Sequence, residues 1–189
     1  MTIQPIETSY DGHRFRSRLE ARWAVFFNAL DISWEYESQG YLLDGTPYLP
    51  DFKLLLPDGR TVFAEIKNAE VSEHHGEHVD LCRSLARESG SPVLLLVGPP
   101  GGLKSRYRMY HQFTPDLQPG SFTAAFFQDY GPKLVTADAY WFQQATVNEE
   151  TGVLEFQFTD RRAAKAFGIG VCDAVNAARA ARFEHGDRG

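Results

Sequence analysis

The chain has 189 residues, of which 43% are hydrophobic and 13% aromatic, and its formal net charge at pH 7 is −6. This length suits one domain with its own core, and the acidic balance argues against a protein that coats nucleic acid through a net positive surface. The two cysteines, Cys82 and Cys172, lie far apart in the sequence, which excludes a zinc ribbon and argues against a disulfide scaffold.

The first predicted element is a helix that starts at Ser17 and ends near Asp31. Its apolar residues recur at intervals of four, three and four, which is one stripe at helical spacing: Leu19, Trp23, Phe26 and Leu30. Residues 1–13 show no periodicity, so we expect an arm before the helix.

Strands follow this helix. Residues 34–43 alternate, 44–47 form a turn, and 48–57 with 61–69 read as the two strands of a hairpin. Residues 77–90 show helical spacing and stop at glycine, and the short apolar run at 92–98 is typical of a strand covered on both faces. The predicted order over 17–98 is therefore helix, three strands, helix, strand.

The second half is less regular. Residues 98–106 are a loop rich in glycine and proline, and segments 122–130, 133–147 and 152–158 predict a β-meander. Residues 159–184 predict a helix that Gly168 and Gly170 split or kink. We expect one α/β (α+β) domain over 1–189, with a mixed central sheet, a core at 13–98 and an extension at 103–189 made of the meander and the helix.

Membrane contact is not expected. No stretch approaches the roughly 18 consecutive apolar residues that a spanning helix needs, and residues 1–15 lack a charged start followed by an apolar signal core. We therefore expect a cytoplasmic protein.

The hairpin at 48–69 carries charged residues near one end, and its register decides whether they meet. Glu65 and Lys67 share one face of their strand because side chains alternate. A two-residue loop would pair Glu65 with Phe52 and turn Asp51 away, whereas a three-residue loop over 57–59 would pair Glu65 with Asp51. The Pro-Asp-Gly composition of that loop favours the second register, although a bulge permits either.

Opposed carboxylates would have their Cβ atoms about 4.5–5.5 Å apart, close enough to share one divalent cation. Lys67 would then polarise an attacking water or hold a phosphate oxygen. The simpler interpretation is that Glu65 and Lys67 form a solvated ion pair and that Asp51, after a proline, merely begins a strand.

Glu20 is open to two interpretations. Ser17 and Glu20 fit the capping-box pattern, in which the glutamate bonds back to the cap amide. Glu20 also borders the stripe that starts at Leu19, so a helix packed on the sheet would present it to the hairpin.

The order of elements, with Glu20 on the first helix, Pro50-Asp51 on the second strand and 65–67 (Glu-Ile-Lys) on the third, resembles the PD-(D/E)XK nuclease superfamily. Residues 13–27 and roughly 177–186 resemble stretches of small nuclease-like proteins common in actinobacteria and their phages. Many of those relatives carry a zinc ribbon between the two regions. This chain has no zinc ribbon, so the resemblance implies nothing about the structure or function of the region between the two matching stretches.

The resemblance implies a restriction-endonuclease-like αβββαβ core and a DNA endonuclease of phage or mobile-element origin. It further implies that Asp51, Glu65 and the Ile66 carbonyl bind Mg²⁺ or Mn²⁺. Lys67 would help to activate the water, and Glu20 would support a metal or its water. A catalytically inactive module that keeps the fold and binds DNA or a partner is the alternative, and an RNA nuclease is a third reading.

Four arginines make the densest basic cluster of this acidic chain: Arg14, Arg16, Arg18 and Arg22. Beside Glu20 they are predicted to bind backbone phosphates of DNA, branched or single-stranded, without reading sequence; the alternative is a solvated helix face. The acidic net charge favours dependence on a structured substrate, a protein partner or a second copy of the chain.

Overall fold

The structure of the protein is a computed structural model. It describes residues 6–68, 75–101, 110–119, 121–127, 134–137, 142–147, 154–158 and 169–183. In chain order, the helices and strands of these residues are β1 (Thr8–Tyr10), β2 (His13–Phe15), α1 (Arg18–Ala29), β3 (Ser33–Tyr36), β4 (Tyr41–Leu43), β5 (Thr46–Tyr48), β6 (Phe52–Leu55), β7 (Thr61–Lys67), α2 (Glu77–Ser89), β8 (Val93–Val97), β9 (Tyr110–Phe113), β10 (Thr123–Phe127), β11 (Leu134–Ala137), β12 (Phe142–Val147), β13 (Leu154–Phe158) and α3 (Ile169–Ala180).

The main sheet has seven strands in the order β11-β10-β9-β8-β7-β6-β3. β7 and β8 are parallel and the other neighbours are antiparallel, so the sheet is mixed. The pairs β1-β2, β4-β5 and β12-β13 form separate two-stranded hairpins. The fold is therefore mixed α+β, and the predicted order of helix, three strands, helix and strand is present as α1, β3, β6, β7, α2 and β8.

α1 begins where the sequence predicts. The Ser17 hydroxyl accepts a hydrogen bond from the Glu20 backbone N–H at 3.2 Å, which satisfies one of the free donors of the first turn. The helix ends at Ala29, and Asp31 has a left-handed φ of 55°. A helix ending near Asp31 is thus confirmed.

Each face of the sheet packs against a helix. The α1 face is an aromatic core in which Trp23, Phe26 and Phe27 contact Phe127, and Phe27 also contacts Phe52. α3 packs on α1 and completes this layer. The opposite face packs on α2 through a second cluster of buried side chains: Phe63, Val79, Cys82, Leu85, Ala86, Val93, Leu95 and Phe113.

Two predictions about the first half are wrong. Within the arm predicted over 1–13, residues 8–13 instead belong to the hairpin β1-β2, because Asp11 and Gly12, with φ of 49° and 75°, make the tight turn between its strands. Residues 34–43 are not one strand either. The chain leaves the sheet at Glu37, whose φ is 47°, and β4 pairs with β5 instead.

The predicted meander is only partly correct. β10 and β11 are antiparallel neighbours, but they extend the main sheet through β9 rather than forming a separate layer. The strand β9 was not predicted. β12 and β13 do pair as expected, while the turn predicted at 148–152 lies outside the described residues. Gly170 lies within α3, and Gly168 lies outside the described part of the chain.

Candidate functional site

The loop between β6 and β7 has three residues, 57–59. The Leu56 backbone N–H donates to the Arg60 carbonyl at 2.9 Å, so these two residues flank the loop as a pair. Gly59 has a φ of +85°, which suits the left-handed position that closes such a loop. The longer of the two loops considered from the sequence is therefore the one present.

This loop sets the register of the hairpin. Phe52 pairs with Ala64, and continuing the antiparallel register by one residue places Asp51 opposite Glu65. Asp51 Oδ2 also accepts a hydrogen bond from the Ile66 backbone N–H at 2.7 Å. The predicted register of the hairpin is confirmed over β6 and β7, and the Asp51 carboxylate, one residue beyond the ladder, is tied to the strand that carries Glu65.

Both carboxylates are buried. The exposed fraction is 7% for Asp51 and 3% for Glu65. Burial, followed by the neighbouring charge of Glu65, raises the pKa of Asp51 to about 8, although Lys67 and the Ile66 N–H act in the opposite direction. The chain therefore places two carboxyl groups side by side where the ionised form of Asp51 is disfavoured.

Lys67 forms an ion pair with Glu65 Oε1. Burial opposes the charge on the Lys67 ammonium, but Glu65 and Asp51 outweigh it, so the pKa of Lys67 is raised above its ordinary value. Lys67 is therefore an ammonium at neutral pH. The pair is not the solvated surface pair of the simpler interpretation, because the Glu65 side chain is 5% exposed and that of Lys67 is 22% exposed.

The second oxygen of Glu65, Oε2, is buried and makes no hydrogen bond of normal geometry. A buried charged oxygen without a donor is costly and invites a ligand. Asp51, Glu65 and the Ile66 carbonyl together offer hard oxygen donors of the type that Mg²⁺ and Mn²⁺ take. These residues fit a divalent cation, and they are the groups that would hold it. Within the described ranges, no cluster of three or more His, Cys, Asp or Glu side chains could by itself hold a metal ion.

Both carboxylate oxygens of Glu20 accept hydrogen bonds. Its Oε1 accepts from the Ser17 hydroxyl at 2.7 Å, and its Oε2 accepts from the Tyr36 hydroxyl at 2.6 Å and from the Arg16 backbone N–H at 3.1 Å. The Ser17 half of the predicted capping box is thus present, but the Glu20 carboxylate bonds back to the Arg16 N–H and the Ser17 hydroxyl rather than to the Ser17 backbone N–H. Glu20 also lies near enough to Asp51 for its charge to help raise the Asp51 pKa. Support of a metal or its water by Glu20 remains a prediction.

Sequence reasoning missed two tyrosines at this site. Tyr36 pairs with Phe52, next to Asp51, and burial and the Glu20 carboxylate raise the pKa of its hydroxyl. Tyr48 lies at the end of β5, and its hydroxyl is buried beside Glu65. The alternation of residues 34–36 was a usable signal for Tyr36. No sequence pattern indicated Tyr48, because its position depends on the β4-β5 hairpin.

The four arginines of the predicted phosphate-binding cluster differ in their surroundings. Arg14, Arg16 and Arg18 are exposed, and Arg22 is half-buried. Arg14 forms an ion pair with Glu7, and Arg16 pairs with Glu37 at 2.6 Å. Burial disfavours the charge of Arg16, but Glu37 and, to a smaller extent, Asp51 outweigh it and raise the pKa of Arg16.

No described helix is both long and apolar enough to cross a bilayer. The chain matches no known protein-family model, no curated protein and no solved structure.

Proposed function

We propose that the protein is a metal-dependent DNA endonuclease of the PD-(D/E)XK type, built on a restriction-endonuclease-like core. The observation that carries the proposal is the buried pair Asp51 and Glu65, held opposite each other beside the Lys67 ammonium. A fold that needed only stability would gain nothing from two adjacent buried carboxylates with one lysine between them.

The electrostatics of the site support a cation. Lys67 offsets the charge of Glu65, so ionising Asp51 as well would leave a net negative charge in a buried place. Burial, followed by the charge of Glu65, therefore raises the pKa of Asp51. A divalent cation would reverse it, because a positive charge between the two groups favours their ionised forms.

Each residue of the site would have its own role in the hydrolysis. Asp51, Glu65 and the Ile66 carbonyl would hold Mg²⁺ or Mn²⁺, which when bound supplies Lewis-acid activation of the phosphodiester and of water. Lys67 stands beside Glu65 as an ammonium that orients the attacking water or holds a phosphate oxygen. The products would be a 5′-phosphate and a 3′-hydroxyl, and no covalent intermediate is required.

Glu20 would act from the edge of this site. Tyr36 and the Arg16 backbone N–H fix its carboxylate near Asp51, where it could accept a hydrogen bond from a water of the site. Such a role needs no direct contact between Glu20 and the cation, so the capping role of Glu20 and its catalytic role are compatible.

DNA would approach along the start of α1. Arg16, with Arg14 and Arg18, offers exposed guanidinium groups on the side of the chain that carries Glu20, and guanidinium groups bind backbone phosphates without reading bases. The net charge of −6 opposes tight binding to uniform duplex DNA. We therefore propose a branched or single-stranded substrate, with a protein partner or a second copy of the chain adding affinity. A cytoplasmic location and a phage or mobile-element origin belong to the same proposal.

A second candidate is a catalytically inactive module of the same fold that binds DNA or a partner. The observation that favours it is that three hydrogen-bond donors of the chain already bind the Glu20 carboxylate, which leaves Asp51 and Glu65 as the two carboxylates available to hold a cation directly.

A cleavage assay separates the two candidates. Branched, single-stranded and linear DNA, and RNA of matching sequence, are incubated with the protein and Mg²⁺ or Mn²⁺. We expect metal-dependent cleavage of DNA that Asp51→Asn and Lys67→Ala both abolish. The matched control is Lys53→Ala, because Lys53 lies on the same hairpin in an ion pair with Glu35 at 3.2 Å and should be dispensable.

Three results would contradict the endonuclease proposal. Equal cleavage by the wild type and Asp51→Asn would indicate a contaminating nuclease. Binding of DNA without cleavage under any metal condition would favour the inactive module. Preferential cleavage of RNA would change the proposed substrate from DNA to RNA, while the proposed catalytic residues would stay the same.

A further inference from the structure

The β4-β5 hairpin, which the chain inserts between β3 and β6, brings a tyrosine to the candidate site. Tyr41 and Tyr48 are directly paired on this hairpin, and both pack against the cluster of apolar side chains between the sheet and α2. The hairpin is further held on α2 by a hydrogen bond from the Ser84 hydroxyl to Asp44 Oδ2 at 3.2 Å. The position of Tyr48 is therefore fixed by packing on both sides.

The hydroxyl of Tyr48 ends beside Glu65. The hydroxyl and Glu65 Oε2 are both buried, and neither makes a hydrogen bond of normal geometry. The two groups lie close together, because the Tyr41 ring packs on the Phe63 ring at 5.4 Å, Phe63 lies two residues before Glu65 on the same face of β7, and Tyr48 is the residue paired with Tyr41. In agreement with this placement, burial and then the Glu65 charge raise the pKa of the Tyr48 hydroxyl. Two buried polar atoms that lie close together and are both unsatisfied are uncommon in a native structure.

Glu65 is thus approached from two sides. Lys67 contacts its Oε1, and the Tyr48 hydroxyl is the nearby group that can donate to its other oxygen. Hydrogen bonds of functional sites are often long or poorly aligned without the ligand and shorten when it binds. A tyrosine hydroxyl is suited to orienting the Glu65 carboxylate, because it can donate one hydrogen bond without adding a charge to the site.

We propose that Tyr48 is a positioning residue for Glu65, donating a hydrogen bond to its carboxylate so that the carboxylate keeps the orientation in which it binds a divalent cation. This inference rests on the proposed function. It extends the candidate site from the β6-β7 hairpin to the inserted β4-β5 hairpin. Groups that orient metal ligands typically contribute about 10–100-fold to metal affinity.

The test is a calorimetric titration of the full chain with Mn²⁺, comparing the wild type, Tyr48→Phe and Tyr41→Phe. We expect Tyr48→Phe to raise the Kd for Mn²⁺ by about 10-fold or more. Tyr41→Phe removes a hydroxyl from the directly paired tyrosine of the same hairpin, and its Kd should stay within about twofold of the wild type.

A thermal melt in the presence of a chelator separates positioning from a purely structural role. Tyr48→Phe keeps the ring and removes a hydroxyl without a normal hydrogen bond, so its metal-free Tm should equal or exceed that of the wild type. A fall in metal-free Tm with unchanged Mn²⁺ affinity, or loss of the fold, would make Tyr48 a core residue and overturn the inference.

The remaining outcomes distinguish the inference from the proposed function. If the wild type and Tyr48→Phe bind Mn²⁺ equally, the role of Tyr48 is refuted and the proposed function stands. If the wild type binds neither Mn²⁺ nor Mg²⁺, both are refuted.

Discussion

The replacement Asp51→Asn should stabilise the metal-free protein at alkaline pH. Asp51 has a pKa of about 8 in the folded chain, against an ordinary value of 3.8. Between these pH values the folded state binds a proton that the unfolded state has lost, so the free energy of unfolding falls as pH rises from about 4 to about 8. The asparagine carries no charge, yet its side-chain oxygen can still accept the hydrogen bond from the Ile66 N–H.

The magnitude follows from the difference between the two pKa values. Four pKa units correspond to about 6 kcal/mol at about 1.4 kcal/mol per unit, and this figure is a ceiling because the site relaxes and admits water. We expect the metal-free Asp51→Asn variant to exceed the wild type by about 2 kcal/mol or more at pH 9. At pH 5 the difference should be much smaller, because only about one of the four units between the two pKa values lies below that pH.

The assay is urea denaturation at pH 5, 7 and 9 with a chelator present, followed by the same series with excess Mn²⁺. The matched control is Asp58→Asn, in the loop at the other end of the hairpin. Burial opposes the charge of Asp58 slightly, but hydrogen bonds and the charge of Arg60 lower the pKa of Asp58. Its replacement should therefore not stabilise the protein at high pH.

Excess Mn²⁺ should reverse the order of stability at pH 9, because only the wild type keeps both carboxylates for the cation. Two results together would refute the reasoning: the free energy of unfolding of the wild type does not fall between pH 5 and pH 9, and the Asp51→Asn variant is less stable than the wild type at pH 9.

Three further predictions test the surroundings of this pair. Glu65→Gln should abolish the rise in Tm that Mn²⁺ gives the wild type, since it removes a proposed ligand, and a differential scanning melt that still shifts with Mn²⁺ would contradict this. Tyr36→Phe should cost about 1–3 kcal/mol in urea denaturation, because it removes the 2.6 Å hydrogen bond to the buried Glu20 carboxylate; no loss would show that Glu20 is satisfied by its other donors. Gly59→Ala should cost about 1 kcal/mol or more at a φ of +85°, and an alanine variant as stable as the wild type would mean that the loop adopts another turn.

Local patterns were enough to predict much of the core. The apolar stripe of α1, its Ser17 cap, and the all-buried run of β8 all depend on neighbours within a few residues. The register of the β6-β7 hairpin was predictable for the same reason, because the Pro-Asp-Gly composition of its loop favours three residues rather than two. The pairing of Asp51 with Glu65 followed directly from that loop.

Elements held by distant partners were not predictable. Residues 34–43 alternate as a single strand would, and only the departure of the chain at Glu37 and the packing of β4 on α2 divide them. β9 is a strand because it pairs with β8 on one side and β10 on the other. The sequence of its four residues does not by itself indicate a strand. In both cases the hydrogen-bond partners lie far away in the sequence, and no local pattern encodes them.

By itself the sequence determined which residues are proposed to carry the chemistry and, through one short loop, the hairpin register that brings Asp51 next to the strand of Glu65. Only the tertiary structure decided how strongly those groups interact, because the burial of Glu65 depends on the whole layer between the sheet and α2. It also decided that Tyr36 holds Glu20 and that Tyr48 reaches Glu65. Side chains from separate hairpins and helices meet only when packing fixes the distances between elements, and those distances set both the charge balance and the hydrogen bonds of the site.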